Sequence, residues 1–428
     1  MPRANVRRTA VPSQVARIVG GIRSPDRFPR IFKGFLKRMR YPTKVSIARA
    51  AQWLGSVVVT VSLASVLAAC TSHEDPRREP TPLSDFKPTL DVKPVWTSSV
   101  GKAGKYLFQP IAVGNDVYAA GQNGSVIKID GASGKTEWSV KVEDDLSAGV
   151  GSDGTLVAVG GLDGTVYVLG NDGKQLWKAN ASGEIVTPPL VGNGYVLVRT
   201  IDGRITAFNA NTGEQKWSYR NRAVPLNLRT TVGMIFAGPT AVLAGFPGGA
   251  LAALNLETGD AYWQTPVSYP TGVTEVERIN DVAGSPTLVG RETCAVTFQG
   301  RIGCFEAESG RPVWEQPFSS YGGLTADQNV VVSTNDWSEV SLYDAANGTR
   351  VWQNSALKSR TLTVPTIIGN AIAVGDFEGY VHFLSRDSGV LVARVKTNGS
   401  GVSAAPVVAG DTLVVQARDG DLYAYRAQ

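Results

Sequence analysis

Residues 201–217 read IDGRITAFNANTGEQKW. An Asp-Gly pair (Asp202-Gly203) favours a tight hairpin turn, because its residues tolerate positive φ. Alternating residues then suit a strand. A second turn follows at Thr212-Gly213, and a short strand delivers Trp217. The phrase recurs along the chain. QNGSVIKIDGASGKTEW ends at Trp138, LDGTVYVLGNDGKQLW at Trp177, PGGALAALNLETGDAYW at Trp263, FQGRIGCFEAESGRPVW at Trp314 and DWSEVSLYDAANGTRVW at Trp352. FEGYVHFLSRDSGVLVA ends at Ala393, where Trp is expected, and RDGDLYAYR closes the chain at half a unit.

The anchors of these phrases are Gly124, Gly164, Gly203, Gly249, Gly300, Gly379 and Gly420, with Ser338 in the sixth place. Their near-constant distance to the Trp marks one rigid supersecondary unit. An apolar segment lies upstream of each anchor, such as Val196-Leu197-Val198. Together these predict four strands per unit, the content of one propeller blade. The final unit lacks its Trp strand, and a spare one stands early in the chain, at Pro94-Val95-Trp96. The expected fold is therefore an all-β, eight-bladed β-propeller of four-stranded antiparallel blades spanning 94–428. The strand around Trp96 joins the C-terminal blade and closes the ring. Trp96, Trp138, Trp177, Trp217, Trp263, Trp314 and Trp352 are read as structural wedges between blades.

The 428 residues carry a formal charge of +5, but unevenly. Thirteen Lys and Arg and one acid (Asp26) fall in 1–69, leaving 29 bases and 36 acids beyond. The predicted propeller is thus acidic, which argues against nucleic acid as a partner. The basic segment reads as an address. Arg40, Lys44 and Arg49 precede an apolar run, and Leu67-Ala68-Ala69-Cys70 has the form of a lipobox, with Cys70 as the acyl acceptor. An uncleaved membrane span is the competing reading of the same run. Cys after small residues and a Pro-rich stretch behind it favour the lipobox. The expected organisation is a signal segment over 1–69, with residues 1–38 either an unusually long n-region or ahead of a translation start at Met39, and a lipid anchor and extended tether over 70–93. Thr71, rather than Asp, follows the cysteine. By lipoprotein sorting this implies an outer-membrane location, facing the periplasm.

Two consecutive blade-to-blade connections are enlarged, those between Trp217 and Gly249 and between Trp263 and Gly300. Insertions on one face of a repeat ring often mark its binding face. The first contains Leu226 and Leu228 beside Arg229, and the second contains Arg278 and Asp281, a candidate carboxylate to orient Arg229 or to pair with a partner base. Apolar anchors next to Arg have the composition of an interface hot spot. The bland alternative is that the leucines tuck the loop onto the ring. Cys294 and Cys304 flank the turn at Gln299-Gly300 and fall opposite, or nearly so, in an antiparallel pair. They are candidates for a disulfide in an oxidising compartment.

The Ala210-Asn211-Thr212-Gly213 to Trp217 pattern resembles the repeat of quinoprotein alcohol dehydrogenases. Eight such repeats behind a lipobox resemble the BamB family, lipoproteins of the outer-membrane β-barrel assembly machine. The resemblance covers about 63–428. Its most specific stretches are Leu226 to Arg229, Thr274 to Arg278 and Gly375 to Tyr380. It implies a non-catalytic scaffold that docks on the periplasmic domains of the barrel insertase BamA, through Leu226, Leu228, Arg229 and Asp281. It also implies contacts with other assembly subunits and with unfolded outer-membrane proteins. One family carboxylate, two residues past Asp281, is replaced by Ala283. No cofactor, metal ligand or catalytic residue is read from the sequence. The dehydrogenases' adjacent cysteine pair is missing, His382 reads as a half-buried strand residue, and His73 lies in the tether. A quinone-dependent dehydrogenase and a free-standing periplasmic peptide receptor are the rival classes.

Overall fold

The computed structural model describes residues 79–222 and 224–427. The signal segment, Met39 and Cys70 lie outside them. The described chain forms eight four-stranded antiparallel sheets. Seven are built from consecutive strands: blade 1 (111–141), blade 2 (151–180), blade 3 (190–220), blade 4 (234–266), blade 5 (282–318), blade 6 (324–354) and blade 7 (366–396). Blade 8 takes three strands from 407–427 and its outermost strand, Val92–Ser99, from the other end of the chain. That strand pairs antiparallel with Asp421–Ala427, from Val92 opposite Ala427 to Ser99 opposite Asp421. The protein is an eight-bladed β-propeller.

The first strands of the blades face the axis. They line a central cavity of about 580 Å³ to which seven blades contribute, through Ile111, Leu190, Phe236 and Val407 among others, with Val150 entering it just before blade 2. The second and third strands are buried on both faces, because each blade is sandwiched between two others. Ser125–Asp130, for example, hides Val126 and Ile127 alike. Lys128 in the same strand is buried with its ammonium held by Asp116 and Glu137, both at 2.8 Å. Exposure therefore does not follow the alternation visible in the sequence.

Seven tryptophans on fourth strands each reach into the next blade. Their indole N–H groups donate to the carbonyls of Gly131, Asn171, Ala210, Leu256, Ala307, Ala345 and Arg386, at 2.7–3.1 Å. Every acceptor sits at the turn between the third and fourth strands of the receiving blade. The ring then lies against the glycine of that turn. A Cβ on Gly213 (φ 70°) would sit 2.7 Å from the Trp177 ring, so both the close approach and the backbone conformation require glycine.

Two hairpin turns depart from the repeat. In blade 5 the positive φ belongs to Gln299 (51°), and Gly300 is demanded by contact instead, since a Cβ there would meet Ser268 Oγ at 2.3 Å. In blade 6 Ser338 itself takes φ 64°.

The segment 81–93 is not the free tether expected from its composition. Thr81 N–H donates to the Lys358 carbonyl, and the Thr89 and Leu90 N–H groups both donate to the Val392 carbonyl. Leu83 packs into the blade 6–7 core and Leu90 and Val92 into the blade 7–8 core. This strap is held by a buried charge network in blade 7. Asp376 accepts from Arg360 and from His382 Nε2 at 3.0 Å, while Arg394 Nε donates to His382 Nδ1 at 3.2 Å. Arg360 and Arg394 then reach out to the carbonyls of Thr81 and Ser84. His382 is thus fully buried rather than half-buried. Burial lowers its pKa, and its two partners fit a neutral ring. Burial works to raise the Asp376 carboxyl, but its bonds from His382, the Tyr380 N–H and Arg360 hold it below the ordinary range.

Candidate partner-binding face

The hairpin turns between second and third strands gather on one face with the blade-to-blade connections. Gly248, in such a turn, donates to Asp281, in such a connection. The two enlarged connections, 221–233 and 267–281, lie next to one another there.

The structure separates the predicted site residues into presenters and a support. Leu226 is 46% exposed, Leu228 is half-buried, and Arg229 and Arg278 are exposed. Asp281 is buried, and its carboxylate accepts the Leu228 N–H at 2.5 Å and the Gly248 N–H at 3.0 Å. It does not orient the Arg229 guanidinium, as the sequence suggested. It fixes the backbone of the first loop from beneath. Burial pushes its carboxyl up, against the pull of those two N–H bonds and of Arg199. Arg199 lies buried below the loops and bonds the Gly245 carbonyl. Its pKa is pulled down to about 10 by desolvation, with Asp281 and Asp202 acting the other way.

Arg229 instead pairs with Glu184, from the connection between blades 2 and 3. Nothing in the local sequence marks Glu184, because the pairing crosses 45 positions. The first loop is also tied to its neighbours by Asn227 to the Ile201 carbonyl and Thr230 to the Tyr321 carbonyl.

The second loop ends in one short turn. Glu277 accepts from the Val273 and Thr274 N–H groups at 2.9 and 3.0 Å, which holds its carboxyl below the usual range. That turn displays Val273, 96% exposed, with Val276 and Tyr269 also in solvent. These three were not singled out from the sequence, though they are apolar residues within the inserted segment. The face therefore presents apolar tips and arginines on backbone held by carboxylate bonds, buried at Asp281 and exposed at Glu277, an arrangement suited to binding another protein surface.

Away from this face, Cys294 and Cys304 are direct cross-strand partners and are joined by a disulfide. Ala283 is buried opposite Val296.

The ring and its enlarged loops define a repeat propeller with one elaborated face. The family model described as "Outer membrane protein assembly factor BamB" matches residues 122–354 and 338–428. A protein of that name from Burkholderia pseudomallei is 65% identical over 361 residues, covering 84% of this chain and 95% of its own length. The chain belongs to the BamB family. The crystal structure of BamB from Moraxella catarrhalis matches with a TM-score of 0.73 at 26% identity, over 78% of this chain and 100% of that one. The quinohemoprotein alcohol dehydrogenase of Comamonas testosteroni shares the fold alone, with a TM-score of 0.61 at 14% identity over 80% and 78% of the two chains.

Proposed function

We propose that this chain is a non-catalytic scaffold of outer-membrane protein assembly. In this reading it is acylated at Cys70, mature from that residue, and held at the outer membrane facing the periplasm. It docks on the periplasmic domains of the barrel insertase BamA through loops 221–233 and 267–281, and keeps the insertase arranged for folding and inserting barrel proteins. The observation that carries the reading is the support of these loops. Asp281 spends a buried carboxylate on two loop N–H groups, so Leu226, Leu228 and Arg229 are held in place without being needed by the ring. Preorganised presenters lose less entropy on binding.

The test is capture of the insertase by the mature protein, beside its melting temperature. Arg229→Ala, or Leu226 and Leu228 both to Ser, should weaken capture roughly thirtyfold or more, as loss of a hot-spot side chain does. Arg278→Ala tests the second loop. Capture at wild-type strength with Arg229→Ala refutes the assignment. Co-purification of the lipoprotein from membranes separates a scaffold, which brings the assembly subunits, from a free-standing peptide receptor, which brings none.

A further inference from the structure

The structure describes eight tryptophans, and seven of them serve the ring. The eighth, Trp337, occupies the second-to-third-strand turn of blade 6 and is 44% exposed. The Lys358 ammonium lies over its ring at 5.3 Å. Ser359 N–H donates to the Trp337 carbonyl at 2.8 Å, so the turn and the 355–365 connection form one rim. Of the two carboxylates in that turn, Asp336 accepts from Ser319, and Glu339 is bonded to Asn335, Gln353 and Ser355. An exposed indole beside a lysine, with no part in blade packing, lacks a structural explanation inside the ring.

The strap supplies one. Thr81 N–H bonds the carbonyl of Lys358 itself at 3.0 Å, and Arg360 Nη1 bonds the Thr81 carbonyl at 3.1 Å. The chain therefore leaves the propeller beside Trp337. Ten residues lie between Cys70 and Thr81, and at full extension the stretch from one to the other spans roughly 40 Å. If Cys70 carries the lipid, this rim is the part of the ring the anchor holds closest to the bilayer.

We propose that the Trp337–Lys358 rim of blade 6 rests on the phospholipid surface to which Cys70 is anchored. An indole suits the headgroup level, where its ring meets acyl chains and its N–H meets water. A lysine at that depth extends its ammonium to anionic headgroups. The contact fixes a second point besides the acyl chains, which sets the rotation of the ring under the membrane and so where loops 221–233 and 267–281 point. The inference rests on the anchor reading above.

The test uses the full lipoprotein, extracted from membranes and reconstituted in vesicles of phosphatidylethanolamine and phosphatidylglycerol. Intact mass first reports acylation of Cys70. Brominated acyl chains, which quench indoles at contact range, should then reduce the tryptophan emission. Trp337→Phe should remove most of that quenching, Lys358→Glu should weaken it, and a long Gly–Ser insertion before Thr81 should weaken it as well. Cys70 without acyl mass overturns the anchor and this contact with it. Acylated protein whose emission brominated lipid leaves unchanged overturns the contact alone. The rim lies on the same face of the ring as loops 221–233 and 267–281, and if Trp337→Ala in that case lowers capture of the insertase, the rim is part of the protein contact instead.

Discussion

Seven of the eight blade junctions are sealed by a tryptophan, and the one between blades 7 and 8 is not. At the seven, an indole enters the turn between the third and fourth strands of the next blade. Blade 8 has no such turn, because its third strand ends the chain near Ala427 and its fourth begins at Val92. A tryptophan at position 393 would find no receiving loop. Ala393 stands there, buried, and Leu90 packs beside it while Thr89 and Leu90 bond the Val392 carbonyl. A cavity of about 680 Å³ remains at this junction, lined by Leu90, Ile368, Val392, Gly410 and Ala427 among others. Chain connectivity, and not a weakened repeat, accounts for the missing residue.

The largest expected effect tests the sealed junctions. Trp217→Ala removes a buried indole and its bond to the Leu256 carbonyl, and should cost about 3–5 kcal/mol in denaturant unfolding. Ala393→Trp should instead destabilise by about 1–3 kcal/mol, as overpacking does. A gain in stability would show that the eighth junction accepts an indole after all. Next comes the disulfide, within the hairpin of blade 5. Cys294→Ala with Cys304→Ala should lower stability by about 2–3 kcal/mol on the chain-entropy account, and thiol titration of the denatured wild type should find neither cysteine free.

The strap should respond to acid. The folded pKa of His382 is lowered, so the stability it contributes is complete above about pH 6.5 and declines as pH falls through that value. The folded pKa of Asp376 is lowered too, and its contribution is lost below about pH 4. Protection of the Thr89 and Leu90 amides in hydrogen exchange should therefore fall from pH 7 to 5 in the wild type. In His382→Gln it should change little over that window. The smallest stability effect is expected on the loop face. Arg229→Ala removes only an exposed ion pair and should shift stability by under about 0.5 kcal/mol. A clear fall in melting temperature would make that loop part of the ring.

The ring was legible because its signal is periodic. Constant spacing from turn to Trp gives blade number, strand order and the closure by Trp96, and each depends on neighbours within one unit. The binding face was legible only as excess length. What the sequence hid are contacts between distant positions. Arg360 reaches Thr81 across 279 residues and Arg394 reaches Ser84 across 310, so segment 81–93 read as a polar linker. Asp281 misled for the opposite reason. Its place in a charged loop suggested a partner for Arg229 or for a base on another protein, whereas it accepts backbone N–H groups from two other loops. The Gly375–Tyr380 stretch, already distinctive, held the one usable hint, since it contains Asp376.

The pairing of Val92–Ser99 with Asp421–Ala427 also sets a timetable. The first strand of the ring to be synthesised bonds to the last. Until Asp421–Ala427 has been made, the N-terminal strand has no mate and the circle stands open. It then becomes topologically complete in a single late event. A chain truncated before Asp421 should remain protease-sensitive however many intact blades precede the cut.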